Sequence, residues 1–177
     1  MPWHPTADGA VTIDNGRVRV VVHDHGRIVS LVDAATGREA VAPGGAANRL
    51  VLHRDTPTEW DAWDIDDHYR RTATRLDTEA PEGVEVAASI DGTVVVTVVR
   101  AFADSRLTQR ISLAPDSAAI DLAFDIDWRE SQKLLKLFAD LDVHADDVLA
   151  ETQFGYVRRA THENTSWDAA RFEFCAH

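Results

Sequence analysis

Two short segments hold most of the side chains that can do chemistry. The first reads Trp60-Asp61-Ala62-Trp63-Asp64-Ile65-Asp66-Asp67-His68. Aromatic rings beside carboxylates suit a sugar: a ring covers the apolar C–H face of a pyranose, and a carboxylate accepts its hydroxyls. The same oxygens can serve calcium, but the glycine and terminal glutamate of an EF-hand loop are missing. A plainer reading has the tryptophans anchoring a long loop while the aspartates cap its turns. Trp60, Asp61, Trp63 and Asp64 are the residues this segment offers for contact with a sugar or a neighbouring domain. The second segment runs Thr161-His162-Glu163-Asn164-Thr165-Ser166-Trp167-Asp168 and is dense in hydrogen-bonding groups. His162 with Glu163 or Asp168 can form an acid/base pair, or His162 alone can ligate a metal. Against this, His162 and Asn164 can simply satisfy backbone groups in a tight turn.

Elsewhere the chemical signals thin out. Zinc needs three or four ligands at definite spacing. Among the eight histidines the close pair is His23 and His25, which alternation across a strand end places at the surface. No H-E-x-x-H, G-x-S-x-G, Walker or dinucleotide-binding pattern occurs. The single cysteine, Cys175, excludes an internal disulfide and lies in an apolar strand, where it reads as a small core residue. No complete metal-ligand set is visible in this spacing, and the acid/base and metal readings of His162 stay open at this point.

These side chains must be positioned by strands. The Asn15-Gly16 pair between strand formers predicts a tight hairpin, because both turn positions must tolerate positive φ. A turn at Asp24-His25-Gly26 leads into a strand over 27–32, and short strands follow at 39–41 and 48–53. After the aromatic, acidic loop, strands are expected over 68–76, 84–90, 93–100 and 107–113. The valine-rich run from Val94 to Val99 is apolar on both faces, as in a central strand covered twice. Residues 118–128 alternate strictly, with Ile120, Leu122, Phe124, Ile126 and Trp128 on one side. Residues 133–144 fit strand or helix spacing and are assigned as strand. Two more strands are expected at 149–159 and from 167 to the end. With 177 residues and 45% hydrophobic composition, the chain is read as one all-β domain over 1–177, an antiparallel two-sheet β-sandwich. A net charge of −12 argues against nucleic acid and anionic membrane surfaces, and no apolar run approaches the length of a membrane span. No secretory signal is visible, so a cytoplasmic setting is expected.

The order Asn48-Arg49-Leu50 followed by Trp60-Asp61-Ala62-Trp63-Asp64-Ile65-Asp66 resembles the start of the β-domain in glycoside hydrolase family 38 α-mannosidases. The later run Glu151-Thr152-Gln153-Phe154-Gly155-Tyr156, and then residues 161–173, resembles the same family in its bacterial and cytosolic branch. The resemblance covers most of the chain. It implies a galactose-mutarotase-like super-sandwich, cut before its end, from a larger retaining exo-α-mannosidase. It implies a zinc ion bound to terminal mannose hydroxyls and an attacking aspartate. Both lie, by the family pattern, on a preceding α/β domain and a helical segment, and no position here matches those motifs. The implied partners are those catalytic α/β and helical domains of the same polypeptide and a mannoside substrate, with self-association into a homo-oligomer a further expectation. Trp60, Asp61, Trp63 and Asp64 then become pocket-wall or interface residues, and His162, Asn164 and Asp168 polar contacts or supports. The competing reading is a free-standing carbohydrate-binding or subunit-docking module.

Overall fold

The computed structural model describes residues 3–6, 9–61 and 64–169, with the side chains of Asp168 and Ala169 outside the description. In chain order the strands are β1 (Trp3–Pro5), β2 (Val11–Asp14), β3 (Val18–Val22), β4 (Ile28–Asp33), β5 (Arg49–Arg54), β6 (Thr74–Arg75), β7 (Gly83–Ala88), β8 (Val94–Phe102), β9 (Ser105–Leu113), β10 (Asp121–Asp127), β11 (Lys133–Phe138), β12 (Asp147–Thr152) and β13 (Gly155–Ala160). Every pairing between them is antiparallel.

The fold is an all-β sandwich. One layer is the sheet β10-β9-β8-β7. The sheet β1-β2-β3-β4 lies across one end of it, where Ile13, Val20 and Val22 meet Val94, Val96, Val98, Ile111 and Leu113. The sheet β11-β5-β6 covers the other end, where Leu50 and Leu52 meet Phe102 and Leu107. Alternation explains this: every second residue of β8 and β9 points into the core. Each buried aliphatic side chain contributes about 1.5–3 kcal/mol, which outweighs the exposed ion pairs at about 0–1 kcal/mol each. The hairpin β12–β13 forms a separate two-stranded sheet.

The Asn15-Gly16 hairpin forms as expected, with Gly16 at φ 80°. Asn15 Oδ1 accepts from the backbone N–H groups of Arg17 and Val18, and its Nδ2 donates to the carbonyls of Ala114 and Ser117 in the opposite layer. Five expectations need correction, and the first is the single strand over 149–159: it is two strands, β12 and β13, paired as a hairpin that turns at Gln153-Phe154 with Phe154 at φ 67°. Residues 68–76 are mostly not a strand: a 3₁₀ helix covers Asp67–Thr72, a second covers Leu76–Thr78, and only Thr74–Arg75 pairs with β5. Tyr69 is the one buried residue of the first 3₁₀ helix, so one anchor replaced an alternating face. Residues 39–41 make only isolated bridges, because the Glu39 carboxylate itself accepts from the Leu31 and Val41 N–H groups and from Ser30 Oγ. β8 is central in its sheet, yet one face alone is core; Val95 and Val99 on the other are half-buried. The segment after Trp167 does not begin as a strand, since Ser166–Ala169 is a short helix, α1; the remainder, with Cys175, lies outside the described residues.

Candidate functional site

The loop between β5 and β6 is closed by its own aspartates. Asp66 Oδ2 accepts from Thr58 N at 2.7 Å and from Thr58 Oγ1 at 2.8 Å, and these bonds hold its carboxyl below the usual carboxylate range. Asp64 N donates to the Trp60 carbonyl at 2.9 Å, and Asp64 Oδ1 accepts from Ile65 N at 2.9 Å. Asp64 and Asp66 thus do what the plainer reading gave aspartates. Trp60 does not anchor anything: it is 70% exposed and sits at φ 60°, in the left-handed region that tryptophan rarely occupies. Such a backbone costs on the order of 1–3 kcal/mol and persists only where its surroundings enforce it. Asp61 is exposed beside Trp60, and Trp63 lies outside the described residues.

The anchor of the loop is Tyr69. Its ring stands edge-on to His53 of β5, with centroids 5.0 Å apart, and its hydroxyl accepts from Lys136 Nζ at 2.7 Å. His53 Nδ1 lies 3.1 Å from the Tyr69 carbonyl. Burial pushes the His53 imidazole below the ordinary histidine value, helped by the nearby Lys136 charge and opposed by the Tyr69 hydrogen bond. Thr72 Oγ1 completes the attachment by accepting from Arg54 N at 2.9 Å.

The second segment follows β13. Thr161 N and Oγ1 donate to the carbonyls of Asp146 and Ala145, which closes the base of the β12–β13 hairpin. An open recess of about 550 Å³ lies there, lined by His144, Ala145, Asp146, Thr161 and His162. Asn164 is exposed, and Asp168 falls in α1. The two segments are tied together by Arg70, whose Nη1 donates to Glu163 Oε1 at 3.0 Å while Nε meets Asp67 at 2.9 Å. The Glu163 bond is the main reason the guanidinium is held above its ordinary value. Glu163 is therefore engaged by Arg70 through one carboxylate oxygen. Sequence reasoning missed Arg70, His144 and Asp146. Arg70 follows directly on the aromatic, acidic run, but its partner is 93 residues away.

A cluster of possible ligand atoms lies away from both segments. Among the described residues, the group able to offer three ligand atoms to one ion is His23, Asp24 and His25. These histidines lie at the turn after β3, as expected, with side chains 30% and 21% exposed. Their rings meet edge-to-face at 5.5 Å, and both are partly buried in a turn that gathers them on one side.

The family described as "Glycosyl hydrolases family 38 C-terminal domain" matches residues 13–177. Alpha-mannosidase 2C1 of Homo sapiens is 38% identical over 171 residues, covering 96% of this chain and 16% of that protein. Alpha-mannosidase 2C1 of Mus musculus is 36% identical, with the same coverage on both sides. Alpha-mannosidase G of Dictyostelium discoideum is 33% identical over 182 residues, covering 97% of this chain and 16% of its own length. The chain thus spans about one sixth of the length of these curated relatives.

Proposed function

The chain belongs to the glycosyl hydrolase family 38 C-terminal domains, and from that membership we propose that it is the non-catalytic β-sandwich portion of an α-mannosidase acting on terminal α-linked mannose. The relatives carry α-mannosidase names, and this chain matches a minor share of their length. The sandwich packs on the rest of the polypeptide and lends one wall to the sugar pocket. That wall is the Trp60 loop with the recess beside His162, joined by the Arg70–Glu163 pair. Trp60 carries the reading: an aromatic face held out at an unfavourable backbone angle on a loop whose carboxylates close it from within.

The family resemblance implies zinc and retention of configuration in the parent enzyme. The residues of this wall do not fit zinc. Asp66 is committed to Thr58 and Glu163 to Arg70, and no three-ligand group forms there among the described residues. No step is routed through the ion; its ligands and the attacking aspartate belong to other parts of the polypeptide. No helix among the described residues has the length and apolarity to cross a membrane.

The test uses the full-length protein and an aryl α-mannoside. Trp60→Ala is expected to raise KM roughly tenfold with unchanged Tm, the value of one aromatic contact near 1.4 kcal/mol. The 177-residue chain alone is expected to show no turnover. Turnover by the chain alone overturns the non-catalytic assignment. Unchanged kinetics in Trp60→Ala, together with a lowered Tm, would instead make the loop an interface between domains.

A further inference from the structure

The turn between β3 and β4 is built more rigidly than a surface turn requires. His23 N donates to the Arg27 carbonyl at 2.8 Å, and Gly26 N donates back to the His23 carbonyl at 2.7 Å. Asn48 Nδ2 donates to the Gly26 carbonyl at 2.7 Å, and Gln109 Nε2 donates in turn to Asn48 Oδ1 at 2.5 Å. Arg100 Nη2 donates to the His25 carbonyl at 2.9 Å. Asn48, Gln109 and Arg100 are all buried; the two amides are directed at this turn, and Arg100 ties it to the Leu76 and Glu79 carbonyls, to which its Nη1 donates. Gly26 is at φ 80°, and a Cβ there would meet Val98 at 3.1 Å, so the turn is seated directly on the core.

On top of it, one ligand atom each from His23, Asp24 and His25 lies within 4.8 Å of the others. The proton positions follow from the partners. His25 Nδ1 is 3.1 Å from the Asp77 carbonyl, which can only accept, so Nδ1 carries the hydrogen and a neutral ring keeps its lone pair on Nε2. That Nε2 stands 3.8 Å from Asp24 Oδ1. A ring held through one nitrogen by a backbone carbonyl, with the other nitrogen presented to a shared point, is the arrangement of a metal-bound histidine. His23 Nδ1 faces the N–H groups of His25 at 3.4 Å and of Arg27 Nη2 at 3.5 Å, both of them donors, so it too presents a lone pair. It abuts Asp24 Oδ1, which is buried and makes no hydrogen bond among the described residues. The contact is too short for an ion to lie between the two atoms, so a shared proton closes it in the metal-free chain, and a bound ion would displace that proton as the two atoms separate to become ligands.

We propose that His23, Asp24 and His25 form a binding site for a divalent cation of the zinc class, with two imidazole nitrogens and one carboxylate oxygen as ligands. The bound ion staples the β3–β4 turn to the 3₁₀ turn Leu76–Thr78 through His25 and the Asp77 carbonyl. Arg27 is the competing cation. Its Nε lies 3.7 Å from Asp77 Oδ2, so the guanidinium has a second partner when the ion displaces it from His23. The site is independent of the mannosidase assignment, since it shares no residue with the Trp60 wall.

The experiment titrates tag-free, chelator-treated 177-residue chain with zinc chloride by calorimetry and follows cooperative unfolding in parallel. One equivalent is expected to bind, and Tm to rise by about 5–10 °C at a hundredfold excess over Kd. His23→Gln and His25→Gln are each expected to weaken binding at least about tenfold, and Arg27→Gln to tighten it. Should either histidine variant unfold without metal, Asp24→Asn preserves the shape and carries the same expectation. Absence of saturable binding by a cooperatively unfolding chain overturns the site. So does binding that survives both histidine substitutions, or binding that is lost instead in His144→Gln at the recess.

Discussion

His53 shows how burial turns a residue into a pH-dependent element. The folded state holds its imidazole below the ordinary value, mainly through burial. In the window beneath about pH 6.5 the unfolded chain therefore binds more protons at this position than the folded one. Stability falls as pH falls through that window and levels off below the folded value, with a slope of at most about 1.4 kcal/mol per pH unit from this group. His53→Gln keeps an amide donor for the Tyr69 carbonyl and removes the titration. The difference in unfolding free energy between wild type and variant should shrink from pH 7 to pH 5 in denaturant titrations; a constant difference would place the titrating group elsewhere. The residue scale is also where sequence reading worked least evenly. The closing of the loop by Asp64 and Asp66 follows from residue type and local pattern, whereas the exposure of Trp60 does not, since the same segment equally offered tryptophan anchors. The Arg70–Glu163 pair and the His53–Tyr69–Lys136 cluster do not, because each joins segments whose separation in the chain carries no local mark.

Elements were legible where a periodic pattern and a turn signal agreed. The β2–β3 hairpin carried both signals, and β9 and β10 alternated strongly enough to be read without a turn signal. Residues 68–76 carried neither cleanly, and one buried tyrosine with its carbonyl bound by His53 and Thr72 settled a 3₁₀ conformation instead. The Asn15 turn shows what a correct turn signal omits. Asn15 Oδ1 serves the local turn, and this much follows from Asn-Gly. Its amide nitrogen reaches Ala114 and Ser117, 99 and 102 residues away, and fastens one layer of the sandwich to the other. Asn15→Ala is expected to cost about 2–4 kcal/mol, since two carbonyls and two N–H groups lose a partner. Asn15→Asp keeps both acceptor bonds but turns a carboxylate oxygen toward two carbonyls. It should be no more stable than the alanine variant at pH 7 and should recover as acid protonates it. Equal stability of Asn15→Asp and wild type at neutral pH would show that the cross-layer bonds contribute nothing.

At the scale of the whole molecule the apolar surface is unevenly spread. Leu137, Leu141, Val143, Leu149, Tyr156 and Trp167 are exposed along and after β11, in the third of the chain where burial is poorest. The core formed by β2, β3, β8 and β9 needs nothing further, since its aliphatic residues are closed off already. Scattered exposed apolar residues are ordinary, but a run of them over one contiguous region marks a surface that another body covers. The relatives are about six times as long as the matched segment, so the remainder of the same polypeptide is the covering body under the mannosidase reading. That assignment separates two measurements on one variant. Leu149→Ser with Tyr156→Ser changes side chains that are 54% and 70% exposed in the 177-residue chain and should leave its unfolding free energy within about 1 kcal/mol. In the full-length protein the same substitutions remove buried apolar area, and the expected loss is about 2–4 kcal/mol at the domain junction. Equal, small effects in both contexts would show that β12 and β13 face solvent in the parent, and the covered surface would then have to lie on the exposed edge of β10 at Leu122, Ile126 and Trp128.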